Sequence, residues 1–278
     1  MKDLVIDSHQ HFWKYGTENH SWIDDEMAII RKDFLPTDLK AVYQENNIDG
    51  CVAVQADQTI EETNFLIDLA TQNNFIKGVV GWVDFRADDI DEVLKHYSQH
   101  KVVKGFRHIV QGESDPNFLL RPDFINGISK LEKYNFTYDI LVFPHQLGAV
   151  LEFVKQFPNI NFVIDHIAKP YIKDGFYDGW AVLMTEIGKC PNVYCKLSGL
   201  ITEADYKNWT DEQLEPYMEL VLKAFGANKL MFGSDWPVCL VAGNYAQVKN
   251  SITKFISKLS SQEQAAIMGN NAAKFYSL

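Results

Sequence analysis

The sequence lacks the features that mark disulfide-rich, nucleotide-binding and serine-hydrolase proteins. Its four cysteines show no CxxC spacing and lie mostly within apolar runs, which is typical of reduced thiols. No glycine-rich loop follows the first predicted strand, so the usual phosphate-binding motif of nucleotide-binding sheets is missing. No serine lies in a GxSxG sequence, which excludes the usual nucleophile of that hydrolase class.

Positive charge and long hydrophobic runs are also scarce. The chain has 26 lysines and arginines against 37 aspartates and glutamates, giving a net charge of −11. Nucleic acids and anionic membranes both require a cationic surface, so we expect neither as a partner. The N-terminal segment is apolar only from Leu4 to Ile6 before Asp7, too short for a signal peptide or a membrane span. Together these absences predict a cytoplasmic protein.

Short apolar runs alternate along the chain with longer amphipathic ones, a pattern typical of βα units and a parallel sheet. Eight runs predict strands: Leu4–Ile6, Cys51–Val54, Ile76–Val83, Val102–Phe106, Thr137–Val142, Asn161–Ile164, Val193–Lys196 and Leu230–Phe232. The segments between and after them predict helices: Thr37–Asn47, Glu61–Asn74, Asp88–Gln99, Pro122–Tyr134, His145–Phe157, Trp180–Lys189, Asp211–Phe225, Tyr245–Lys258 and Ser260–Tyr276.

Eight such units in 278 residues predict an α/β protein, a (β/α)8 TIM barrel formed by one domain over residues 1–278. An open doubly wound sheet is the main rival fold. Residues 12–36 form the longest irregular segment, and loops of this length are usually functional. We expect the segment to lie over the barrel mouth like a lid, the alternative being a flap that only packs.

Polar residues follow the predicted strands repeatedly, where a barrel places its active site. Seven of them lie at or just past the ends of five strands: His9, His11, Gln55, Arg107, His108, His166 and Asp235. The side chains of His9 and His11 point the same way along a strand, because residues two apart share a face. With His166 and Asp235 they form a predicted catalytic and metal-binding set.

This His/His/His/Asp set suits one divalent ion, with Zn²⁺ as the first choice and Mg²⁺ or Ca²⁺ less suitable. An Asp235 carboxylate can accept a proton from water as a general base. Histidines or a metal ion can hold a developing oxyanion. The same side chains could also act as hydrogen-bond donors with no metal, and the sequence leaves this alternative open.

Six residues are predicted to bind the substrate: Gln55, Arg107, His108, Lys169, Lys196 and Trp236. Arg107 offers a planar fork of donors for a carboxylate or vicinal oxygens, although it could instead pair with Asp139 or Asp165. The two lysines have a structural alternative as ion-pair partners. The amide of Gln55 and the imidazole of His108 suit the hydroxyl groups of a polyhydroxylated ring, and the indole of Trp236 suits its apolar face.

Five ordered motifs carry a resemblance to a known family. They are IDSHQHFW at 6–13, GFRH at 105–108, DHIAKP at 165–170, KLSGL at 196–200 and MFGSDWP at 231–237. On these motifs, spread over about residues 5–276, the chain resembles the amidohydrolase superfamily. Within the amidohydrolase-2 type of that superfamily, it is similar to the branch of sugar-lactone hydrolases.

The resemblance implies a distorted barrel that hydrolyses an aldonolactone to its sugar acid in carbohydrate catabolism. It matches His9 and His11 to the family's HxH motif, His166 to a later strand-end histidine, and Asp235 to the aspartate that acts as general base. The chain departs from two-metal members at the end of strand four, where it has Arg107-His108 in place of a bridging lysine or glutamate. This departure favours one divalent ion or none.

The resulting hypothesis is that Asp235 deprotonates a water, which attacks the lactone carbonyl while the three histidines stabilise the oxyanion. Asp235 or His166 then returns a proton to the leaving ring oxygen. The alternatives are a metal-dependent decarboxylase, a hydrolase of another cyclic ester, and a barrel that binds a sugar acid without converting it. A homodimer is expected on general grounds only.

Overall fold

The computed structural model describes residues 3–278 and confirms the predicted α/β barrel. Eight parallel strands follow one another in chain order: β1 Ile6–Gln10, β2 Gly50–Val54, β3 Ile76–Gly81, β4 Val103–His108, β5 Thr137–Ile140, β6 Phe162–Ile164, β7 Val193–Leu197 and β8 Leu230–Phe232. The helices are α1 Pro36–Asn46, α2 Ile60–Gln72, α3 Ile90–Tyr97, α4 Pro122–Ile128, α5 Leu131–Tyr134, α6 Leu147–Gln156, α7 Asp178–Gly188, α8 Asp211–Phe225, α9 Tyr245–Ile256, α10 Ser261–Ala265 and α11 Asn271–Phe275.

The barrel closes just beyond the end of β8. Gln10 and Trp236 form a parallel bridge, and the amide of Asp235 donates to the carbonyl of His9 over 2.8 Å. The register also shifts in the pairings of β1 with β2, β2 with β3 and β3 with β4. The barrel is therefore distorted, as the resemblance implies, and its closure brings the residues after β8 against β1.

Some element boundaries differ from those predicted. β1 continues to Gln10 instead of ending at Ile6, so His9 lies inside the strand. The polar residues of this strand are buried in the barrel, and a run of polar residues does not look like a buried strand in the sequence. The helix predicted over Pro122–Tyr134 is divided into α4 and α5, and the last predicted helix contains a π turn at Ala266–Asn270.

The end of the barrel opposite the mouth is filled by the C-terminal helix. Ala272, Phe275 and Tyr276 pack with apolar side chains of the inner barrel face, namely Ile6, Val52, Val54, Val80, Val163 and Met231. The π turn before α11 approaches β1 closely, since a Cβ at Gly269 would lie 1.8 Å from the carbonyl oxygen of Leu4. Glycine at this position therefore permits the helix to seat against the barrel.

Residues 12–36 form the irregular segment between β1 and α1. Trp13 and Phe34 pair in antiparallel fashion through two backbone hydrogen bonds of 3.0 and 2.9 Å, which join the two ends of the segment. Ile23 and Ile30, which lie between them in the sequence, are buried, whereas Trp22 is 40% exposed. Over residues 3–278, no helix combines the length and apolarity needed to cross a membrane.

Candidate active site

Four of the predicted side chains meet at the mouth of the barrel. His9 and His11 come from the end of β1, His166 follows β6 and Asp235 follows β8. Asp235 Oδ1 lies 3.3 Å from His11 Nε2, 3.8 Å from His166 Nε2 and 3.9 Å from His9 Nε2. None of the four residues is more than 4% exposed. A buried carboxylate therefore lies among three imidazoles.

The surrounding histidines favour the ionised form of Asp235. Burial by itself raises the pKa of this carboxyl, but the interactions with His166, His11 and His9 outweigh it and hold the pKa well below its usual range. The backbone of Asp235 has a φ of 57°, in the left-handed region that non-glycine residues rarely adopt. Such conformations cluster at functional sites, where the surrounding structure maintains them.

His166 lies in a left-handed turn. Residues 166–169 have φ values of 52°, 47°, 58° and 48°, although none is a glycine. The turn is held by Trp180 Nε1, which donates to the carbonyl of Ile167 over 2.7 Å. His166 Nδ1 contacts Ser198 Oγ at 2.9 Å, and a Cβ at Gly199 would lie 2.6 Å from the same nitrogen. The glycine therefore makes room for the imidazole beside the cavity.

Burial lowers the pKa of His166 to about 4, although Asp235 and Asp165 act in the opposite direction. His166 is therefore neutral near pH 7. His11 is oriented by its other nitrogen, because Nδ1 donates to the carbonyl of Val54 over 2.8 Å. This bond leaves His11 Nε2 facing His9 Nε2 at 3.2 Å and the Asp235 carboxylate.

Beneath these side chains lies a buried ionic network. Lys196 Nζ contacts Asp139 Oδ2 at 2.5 Å and Asp165 Oδ1 at 2.9 Å, and Arg107 Nη1 donates to Asp165 Oδ2 over 2.9 Å. His9 Nδ1 lies 3.2 Å from Asp165 Oδ1 and 3.0 Å from Lys196 Nζ. The two cations balance the two carboxylates, so the network adds no net charge to the site.

A cavity of about 370 Å³ opens above Asp235, which is within the usual size of small-molecule sites. Its polar lining comes from His11, Arg107, Gln111, His166, Lys169, Thr202, Glu203, Tyr206 and Asp235. Its apolar lining comes from Trp22, Met27, Ala56, Ile109, Leu141, Phe143 and Val238. The cavity therefore offers both polar and apolar contacts to a small ligand, with Asp235 in its lining.

Two of the six predicted substrate-binding residues line this cavity. Lys169 reaches it beside Glu203, with Nζ 2.8 Å from Oε1. Arg107 also lines it, but Nε and Nη2 already bond to Gln55, and Nη1 faces Asp165 and His9. The arginine therefore contributes its charge more than free hydrogen bonds.

The other four lie outside the cavity lining. Gln55 is fully buried and serves as the acceptor for Arg107. His108 Nε2 pairs with Glu113 at 2.7 Å, and Trp236 packs edge-on against Phe12 and Phe34. Lys196 is fully buried in the ionic network, which matches the structural alternative given for it above.

Several cavity residues were not predicted, among them Gln111, Thr202, Glu203 and Tyr206. They lie in the loops that follow β4 and β7. Loop residues have no hydrophobic period that would indicate where they point. The only available signal is their position after a strand, at the end of the barrel that carries the site.

The donor atoms of His9, His11 and Asp235 lie within 4.8 Å of one another. Two imidazole nitrogens and a carboxylate oxygen suit Zn²⁺, so this set fits one divalent ion. His9, Asp165 and His166 form a second such group. Here Lys196 and Arg107 already contact both oxygens of Asp165, so this second group fits a metal ion poorly.

Comparison with known proteins gives consistent results. The amidohydrolase family matches residues 6–278. The chain is 37% identical to an L-fucono-1,5-lactonase of Burkholderia multivorans over 100% of this chain and 97% of that protein. It is 34% identical to an L-fucono-1,5-lactonase of Burkholderia ambifaria over 98% of this chain and 94% of that protein.

A crystal structure of a Burkholderia multivorans amidohydrolase with bound zinc superposes with a TM-score of 0.96, at 37% identity and 99% coverage of both chains. The fold, the ordered motifs and these full-length matches agree with the predicted resemblance. This chain therefore belongs to the amidohydrolase family.

Proposed function

We propose that this protein hydrolyses a sugar lactone, an aldonolactone, to the corresponding sugar acid in carbohydrate catabolism. The observation that carries the proposal is the ionised Asp235 among three histidines at the floor of a cavity of about 370 Å³. A general base must be ionised to accept a proton from water, and a cavity of this size accommodates one sugar ring. The names of the two full-length relatives support the same substrate class.

In the proposed mechanism, Asp235 accepts a proton from water, and the water oxygen bonds to the lactone carbonyl carbon. The ring carbon–oxygen bond then breaks. Asp235 returns the proton to the leaving oxygen, directly or through His166, whose Nε2 lies 3.8 Å away. The products are a carboxylic acid and a hydroxyl group, so atoms and protons balance without a covalent enzyme intermediate.

Other residues of the site orient the reactants. His11 is fixed by Val54 and presents Nε2 to the reacting region. Lys169 lines the cavity as a donor to substrate hydroxyls or to the carbonyl oxygen. A divalent ion such as Zn²⁺, held by His9, His11 and Asp235 with His166 beside them, supplies Lewis-acid polarisation of the carbonyl when bound.

The test is hydrolysis of fucono-, rhamnono- and galactono-lactones, followed with a pH indicator. The assay is run with the protein as purified, after treatment with a chelator, and after addition of Zn²⁺. We expect hydrolysis of at least one lactone, with loss of rate in the chelator and recovery with Zn²⁺. Unchanged rates in the chelator would assign the chemistry to Asp235 and the histidines alone.

A complete lack of lactone hydrolysis under every metal condition would contradict the proposed function. Release of CO₂ from an unsaturated acid by the same preparation would identify the decarboxylase alternative, which no feature of the site favours. If only other cyclic esters were hydrolysed, the proposed reaction, ester hydrolysis, would stand and the proposed substrate would be wrong.

The proposed partner is therefore a small-molecule lactone, with no nucleic acid. The four unpaired cysteines support a reducing, cytoplasmic location. A homodimer stays a prediction, and sedimentation or light scattering at micromolar concentration tests it.

A further inference from the structure

The proposed mechanism makes no use of the C-terminal helix, yet this helix reaches the buried network beneath the site. Tyr276 follows α11 directly and is 1% exposed. Its hydroxyl donates to Asp139 Oδ2 over 2.7 Å, and its ring lies 5.6 Å from Lys196 Nζ. Tyr276 therefore links the end of the barrel opposite the mouth to the buried ionic network through a hydrogen bond to Asp139.

Asp139 depends strongly on this bond. Its Oδ2 atom accepts from both Tyr276 and Lys196. Its Oδ1 atom is buried and has no hydrogen-bond partner among residues 3–278. A buried carboxylate needs its donors to offset the loss of water. Removing the hydroxyl of Tyr276 would therefore leave the ammonium of Lys196 as the one donor to Asp139 from the described part of the chain.

Lys196 transmits this arrangement to the site. Its ammonium group lies between Asp139 and Asp165 and is 3.0 Å from His9 Nδ1. Asp165 Oδ1 lies 3.2 Å from His9 Nδ1 as well. A continuous series of contacts therefore leads from Tyr276 through Asp139 and Lys196 to the His9 ring, whose other nitrogen faces Asp235.

We propose that Tyr276 is a positioning residue for the reaction: through Asp139 and Lys196, its hydroxyl fixes the His9 imidazole beside Asp235. The inference rests on the proposed function for its kinetic consequence, but the positioning itself is measurable without any substrate. Tyr276 therefore packs at the end of the barrel opposite the mouth and also stabilises the ionic network beneath the site.

The test variant is Tyr276→Phe, which keeps the ring and its packing and removes one oxygen. The control is Tyr97→Phe, because Tyr97 is also buried and its hydroxyl donates to Asn64 Oδ1 over 3.1 Å, on the outer helices α2 and α3. Changing a residue that orients a metal-ligating histidine typically reduces activity by about 10- to 100-fold, and Tyr276 reaches His9 only through Asp139 and Lys196, so we take the lower end of this range. We expect kcat to fall by about tenfold with KM within about twofold for Tyr276→Phe, and kcat to change less than twofold for the control.

A second measurement uses protein labelled with ¹⁵N in its histidines. We expect the ring nitrogen signals of His9, assigned through a His9→Gln variant, to shift in Tyr276→Phe and to stay in place in Tyr97→Phe. If no lactone is hydrolysed by the unmodified protein, the proposed function fails while this spectrum still tests the positioning. Unchanged His9 signals in Tyr276→Phe would overturn the positioning role.

A double-mutant cycle guards against a general loss of stability. Tyr276→Phe, Asp139→Ala and the double variant are compared for kcat and for Tm. The proposal requires the kinetic effects to be non-additive, because both single changes break the same hydrogen bond. Additive effects, or a fall in kcat that simply follows Tm in both tyrosine variants, would contradict it.

Discussion

Two lysines of this protein pair with carboxylates in contrasting surroundings. Lys169 pairs with Glu203 at the cavity, where their side chains keep 20% and 14% of their exposure. Lys196 pairs with Asp139 and Asp165 in the barrel interior, where all three side chains are fully buried. A partly hydrated pair can exchange partners with a ligand, whereas a buried pair cannot separate without exposing an uncompensated charge. The Lys169–Glu203 pair is therefore free to exchange partners with a ligand, whereas the Lys196 pairs stabilise the barrel interior.

The largest effect on turnover is expected at Asp235, which lies between these two regions. Asp235→Asn removes the proposed base while keeping the size of the side chain, so kcat should fall by about 10³-fold or more. The matched control is Asp174→Asn, an exposed aspartate that does not line the catalytic cavity. Steady-state kinetics and Tm are measured for both proteins. Near-normal turnover in Asp235→Asn would remove this residue from the mechanism.

The buried lysine should have the largest effect on stability. Lys196→Met leaves Asp139 without a cationic partner among residues 3–278, and it removes one of the two Lys/Arg partners of Asp165. Breaking a buried ion pair on one side typically costs about 3–5 kcal/mol of unfolding free energy. Urea unfolding measures the loss. A loss below about 1 kcal/mol would show that the interior carboxylates find other partners and that the two regions do not differ.

The cavity lysine should have the smallest effect. Lys169→Met removes a partly hydrated pair, so the unfolding free energy should change by no more than about 1 kcal/mol. KM for the lactone should rise by about tenfold, the equivalent of one lost hydrogen bond of about 1.4 kcal/mol to the substrate. The same urea and kinetic measurements apply. A large loss of stability with unchanged KM would reverse the roles of the two lysines.

The sequence predicted the barrel and the meeting of His9, His11, His166 and Asp235, because polar residues after apolar runs share one end of a parallel barrel. It did not predict which polar residues face the cavity. Lys196 lies inside β7, and its depth below the mouth depends on where the strand ends. Short apolar runs leave that boundary uncertain by several residues.

The left-handed turn at residues 166–169 could not be predicted for a different reason. None of its four residues is a glycine and only His166 belongs to a type enriched at positive φ, so the turn is maintained by tertiary contacts such as the bond from Trp180. Glu203 and Tyr206 reach the cavity from loops, where neither helical nor strand periodicity operates. Tyr276 was assigned to a terminal helix, and only barrel closure reveals that its hydroxyl reaches the interior.

The irregular segment at residues 12–36 has a consequence for the divergence of such enzymes. Its Trp22 and Met27 contribute to the ceiling of the cavity, yet the pairing of Trp13 with Phe34 anchors the segment at its two ends. The reactive floor comes instead from three separate strand ends. Mutations within this one segment can therefore change the shape of the cavity while Asp235 and the three histidines stay unchanged.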